Sequence, residues 1–120
     1  MNNEMMNELT SVKEIDLIYV NIKNTKDKMT INYTIVCDMD SVVENIDVCK
    51  KIVAVMEIAK TLVTRDDILF NYNIKTSASL EEDIKNESKG TLYNLETAKV
   101  LYQKDYYFND LLEESKNKAR

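Results

Sequence analysis

Residues 29 to 39 read "MTINYTIVCDM". Every second side chain is apolar or aromatic: Met29, Ile31, Tyr33, Ile35, Cys37 and Met39 fall on one face, and Thr30, Asn32, Thr34, Val36 and Asp38 on the other. A period of two is what a half-buried strand requires, because successive side chains of extended backbone point to opposite sides. On the amino-terminal side, "IDLIYVNI" (Ile15 to Ile22) is rich in β-branched residues and is separated from Met29 by the polar "KNTKDK". The pair predicts an antiparallel hairpin with a loop of about five or six residues.

On the carboxyl-terminal side the period changes. Asp40 and Ser41 are helix openers, and Glu44 three residues after Ser41 completes a capping-box pattern. Val42, Ile46, Cys49, Ile52, Val53, Met56, Ala59, Leu62 and Val63 then recur at helical spacing, and Val48, Val55 and Ile58 widen the stripe. So broad an apolar surface predicts a central, mostly buried helix. "ILFNYNI", 68 to 74, alternates again and is read as a third strand, with Ile68, Phe70, Tyr72 and Ile74 on one face. Ser79 with Glu82 repeats the capping box, Gly90 is read as the residue closing that helix, and Thr91 as the cap of a last, long helix reaching about Asn117. The expectation is one α+β domain spanning residues 1–120: a hairpin and a third strand packed on a central helix and a long C-terminal helix. Residues 1–12 are expected to form a short N-terminal helix or flexible lead, and 115–120 a frayed basic tail.

Composition narrows the chemistry. The chain has no His and no Pro, Gly90 is its one glycine, and its net charge is −5. A single glycine cannot build a phosphate-cradling loop of the P-loop or Rossmann type. Without histidine the commonest general base, metal ligand and partner of a nucleophilic Ser or Cys are missing. Cys37 and Cys49 fall on apolar faces, form no CxxC and are too few for a structural zinc site, so both are read as buried, reduced thiols. Residues 79–114 hold nine acids against four lysines, which equals the whole net deficit. Arginine stands only at Arg65 and Arg120, so bidentate phosphate or guanine contacts are scarce. Lys23, Lys26 and Lys28 are the candidates for weak phosphate contacts, and nucleic acid is otherwise disfavoured. The start of the chain lacks a charged n-region and an apolar h-region, and no run is long enough to span a membrane, so a cytoplasmic location is expected, in its own cell or a host cell.

"TIVCDMDSV" ends an apolar strand in Asp-x-Asp and so resembles the first motif of haloacid-dehalogenase-like phosphohydrolases. The resemblance implies that Asp38 attacks phosphorus while Asp40 serves as acid and base beside Mg²⁺. The stretch departs from that family in having Ser41 where Gly is usual, a hairpin strand where a parallel sheet is expected, and too little following chain. Asp66 and Asp67 also precede an apolar run instead of following a strand. The reading adopted is therefore structural: Asp38 ends the strand on its polar face, and Asp40 or Ser41 caps the helix. Glu81, Glu82 and Asp83 are read as first-turn acids favoured by the helix macrodipole.

The remaining feature is "YQKDYYFNDLL", 102 to 112. On a wheel at about 100° per residue, Leu95, Ala98, Leu101, Tyr102, Phe108 and Leu112 share one arc, with Tyr106 at its edge. Tyr93, Val100, Tyr107 and Leu111 share a second, narrower one. The first arc suits the domain's own core. The second is the expected interface, with another protein or with a second copy, and the neighbouring acids favour a partner with a basic surface. The function expected is non-enzymatic: a small acidic adaptor, immunity or inhibitor protein of the kind phages and mobile elements encode, needing no cofactor and no metal. A self-associating assembly subunit and a nucleic-acid-associated regulator using the lysine-rich hairpin are the alternatives.

Overall fold

The computed structural model describes residues 3–119. In chain order the elements are α1 (Asn3–Thr10), β1 (Ile15–Asn24), β2 (Met29–Cys37), α2 (Ile46–Thr61), β3 (Ile68–Thr76), α3 (Ser77–Lys85), α4 (Lys89–Thr97), β4 (Lys99–Gln103) and α5 (Tyr107–Ala119). The four strands form one mixed sheet in the order β3-β2-β1-β4. The α+β class, the hairpin and the third strand expected from the periodicity are all present.

β1 and β2 pair antiparallel from Ile15↔Cys37 to Asn24↔Met29. The loop is shorter than expected, Thr25 to Lys28, and is closed by Thr25 N–H donating to the Lys28 carbonyl at 2.8 Å. β1 is buried on both faces, with Ile15, Leu17, Ile18, Tyr19 and Val20 all in the core, which explains why its sequence runs apolar instead of alternating. β2 then connects through α2 to β3, which pairs with it in parallel, from Met29↔Ile68 to Cys37↔Thr76 without a register shift. A parallel neighbour requires such a crossover, and the sixteen residues of α2 supply it.

Two apolar clusters cover the two faces of the sheet, giving three layers. On one face Ile18, Val20, Tyr33, Ile35, Cys37 and Phe70 meet Met5 and Leu9 of α1 and Cys49, Ile52 and Met56 of α2. On the other, Leu17, Tyr19 and Val36 meet Leu80 and Ile84 of α3, Leu92 and Leu95 of α4, and Phe108 and Leu111 of α5.

The C-terminal third corrects the expectation of one long helix. α4 ends at Thr97, Ala98 takes extended backbone, and Lys99–Gln103 forms β4 along the free side of β1, with Ile18↔Tyr102 and Tyr19↔Val100 paired on either side of a register shift. The reason lies in β1. A strand buried on both faces needs partners for the outer row of its backbone N–H and C=O groups, and β4 supplies them. That demand overrides the helical propensity of the segment.

The caps move as well. α2 begins at Ile46, not at Ser41; the Ser41 hydroxyl still accepts from the Glu44 N–H at 3.1 Å, but within the preceding turn. α3 is capped by Thr76, whose hydroxyl accepts from the Ser79 N–H, so Glu81, Glu82 and Asp83 lie beyond its first turn. Gly90 sits inside α4 at negative φ, and the left-handed position closing α3 is Glu87, at φ 58°. Residues 1 and 2 of the expected N-terminal lead and Arg120 of the expected basic tail lie outside the described residues; α5 remains helical through Ala119.

Candidate protein-binding face

α2 carries more apolar surface than the sheet covers. Cys49, Ile52 and Met56, at helical spacing, are its buried residues. Val42 and Val43 in the preceding turn, and Ile46, Val53, Ile58 and Leu62, are exposed, and they make up six of the eleven exposed large hydrophobics among the described residues. The expectation of a mostly buried helix is thus corrected: α1, with eight residues, is too short to cover what the sheet leaves open. Between α1 and α2 lies a groove of about 270 Å³ lined by Met5, Val55, Ile58, Ala59 and Leu62, with Glu4 and Glu8 along the α1 side. Ile58 and Leu62 are each 63% exposed on its wall. Four residues apart, they project along one side of the helix. The breadth of the stripe was legible in the sequence; which half of it would stay bare was not.

The four residues of the expected C-terminal seam do not share a helix face. Tyr93 is on α4 and 66% exposed, Val100 is half-buried on β4, Tyr107 opens α5, and Leu111 is 3% exposed in the core. Leu111 belongs to the cluster on the α3, α4 and α5 side of the sheet and Val100 and Tyr107 pack partly buried against it, while Tyr93 is exposed. The assignment of the first arc to the core holds for Leu95 and Phe108, which are buried, and for Ala98, Leu101, Tyr102 and Leu112, which pack partly buried against one cluster or the other, and not for Tyr106, which is 72% exposed. Lys23 at the end of β1 and Lys26 and Lys28 in the hairpin loop are exposed together at one tip.

Several titratable groups in or near the interior are shifted by their surroundings. Burial, with Cys49 close by, pushes the Cys37 thiol up to about 12. Both cysteines are free and buried. Burial, then the Glu81 and Asp16 carboxylates, raises the Tyr107 phenol far above its usual range. Its buried hydroxyl makes no hydrogen bond of ordinary geometry, with Ser77 the hydroxyl beside it. Asp16 is raised by burial and by Asp38, against the pull of Lys104. Asp38 and Asp40 are exposed on either side of buried Met39, and Asp38 donates its backbone N–H to the Glu14 carbonyl at 2.7 Å. Among the described residues no group of three or more His, Cys, Asp or Glu is placed to hold a metal ion. The most organised polar cluster is structural: Lys75 Nζ meets Asp83 Oδ2 at 3.0 Å, and the Thr91 hydroxyl donates to the same oxygen at 3.4 Å, joining β3, α3 and α4.

No helix among the described residues is long and apolar enough to cross a membrane. Comparison with protein-family models, with curated proteins and with solved structures finds no match for this chain.

Proposed function

We propose that this chain is a non-enzymatic binding module, an adaptor or inhibitor, which seats an amphipathic helix of a partner protein in the groove between α1 and α2. The observation that carries the reading is the exposure of Ile58 and Leu62 on the wall of an apolar groove. Helix-in-groove recognition uses side chains at such spacing, with the partner's own apolar face completing the core. Exposed apolar patches of this kind cost solubility unless they are used. The net charge of −5 and Glu8 on the groove's rim favour a partner helix flanked by basic residues. The missing histidines and the buried thiols support action by binding alone.

The test uses Ile58→Asp and Leu62→Asp, surface changes that leave the fold standing. A partner is captured with the wild-type chain from its own cells, identified by mass spectrometry, purified and titrated calorimetrically. Each variant should weaken binding at least about tenfold, as a groove anchor of ~1.4 kcal/mol or more does. A partner that binds both variants with unchanged affinity would remove the groove as the site.

A further inference from the structure

The two edges of the sheet are built differently. β4 is five residues long, its pairing with β1 shifts register between Ile18 and Tyr19, and it begins at Lys99. Short length, an irregularity and a lysine are the usual protections of an exposed edge. β3 is less protected: its one lysine, Lys75, stands next to its C-terminal end and is held by Asp83. It runs nine residues, keeps strict register with β2, and from Ile68 to Ile74 reads "ILFNYNI", with no charge and no proline. Among the described residues no strand lies beside its outer edge, which leaves a row of backbone donors and acceptors along the uncharged stretch 68–74, with Leu69 50% exposed on it.

The sequence of β3 also says what would fit there. Read from both ends toward Asn71, the face that carries Ile68, Phe70, Tyr72 and Ile74 is close to a palindrome: Ile68 matches Ile74 and Phe70 matches Tyr72, while on the other face Leu69 stands opposite Asn73. An antiparallel copy centred on Asn71 sets Ile against Ile and aromatic against aromatic on one face, which are favourable cross-strand pairs, and Leu69 against Asn73 on the other. A twofold axis requires this self-complementarity, since residue i meets j and j meets i. We infer that β3 pairs antiparallel with β3 of a second copy about a twofold axis at Asn71, joining the two sheets into one of eight strands. The α1–α2 groove is left open, because Tyr72 Oη bonds Glu57 Oε2 on the α2 flank near β3 while Ile58 and Leu62 line the flank facing α1.

Sedimentation velocity and light scattering of the full chain test this directly. The wild type should run at twice the 13.9 kDa of one chain. Asn71→Lys sets like charges against each other on the axis and should raise the dimer dissociation constant at least about tenfold, with an unchanged circular dichroism spectrum. Asn71→Cys should oxidise to a covalent dimer, since Cβ atoms directly opposite lie within disulfide reach and the native thiols are buried. Lys26→Cys, at the hairpin tip, should not. A wild type that stays monomeric at about 100 µM, enough to populate a dimer of micromolar affinity, would overturn the inference. So would a dimer that Asn71→Lys leaves intact and Asn71→Cys fails to cross-link. The cross-link decides the matter should Asn71→Lys disturb the fold.

Discussion

The Ser88 backbone N–H donates to the Asp83 carbonyl at 2.9 Å, while the Glu87 N–H donates to the Ile84 carbonyl at 3.0 Å. This pair of bonds closes α3 as a Schellman motif, with Glu87 at φ 58° in the left-handed position where glycine is usual. A side chain there costs about 1–2 kcal/mol, and relief of that strain exceeds the extra chain entropy that glycine loses on folding. Glu87→Gly should stabilise the fold by about 0.5–1 kcal/mol, read as a higher urea midpoint at unchanged slope.

Three residues later the residue types are reversed. Gly90 lies within α4 at negative φ, and a Cβ there would meet nothing within 4 Å among the described residues. Gly90→Ala should therefore add about 0.5–1 kcal/mol through helix propensity alone. A melting temperature that falls would mean that α4 is not helical at that position.

Leu111 and Tyr93, expected to share a seam, should behave in opposite ways. Leu111→Ala removes a core side chain and should cost about 2–5 kcal/mol. Tyr93→Ala removes an exposed ring and should stay within about 0.5 kcal/mol of the wild type. Chemical denaturation of the two variants measures both. Equal and small effects would return Leu111 to the surface.

Alkaline pH should weaken the fold, and the sign follows from the buried acids. The Cys37 thiol is raised from 9.0 to about 12, so the unfolded chain loses that proton first. Its stabilising contribution is complete below pH 9 and fades as pH rises toward 12. Tyr19, Tyr33 and Tyr107, raised above 10.0 chiefly by burial, act in the same direction further up. The urea midpoint should fall steadily above pH 9, and Cys37→Ala, less stable at neutral pH, should begin its decline later. A wild type whose midpoint is flat to pH 11 would contradict the burial of the thiol.

Strand and helix periods made the first three quarters of the chain legible. The alternation of Met29 to Met39, the apolar run of Ile15 to Ile22 and the alternation of Ile68 to Ile74 each report a local constraint, the side of the backbone on which a residue stands. The number of glycines and histidines likewise bounded the chemistry before any fold was known. What the chain alone could not convey were relations between distant segments. Lys99 to Gln103 is a strand because β1, buried on both faces, has a backbone edge to satisfy. Leu111 is buried because α5 turns back onto Leu17 and Tyr19, and Ile58 and Leu62 are bare because α1 ends before it covers them. Periodicity shows which residues share a face; only packing decides which faces meet, because burial depends on what the rest of the chain has left to cover them.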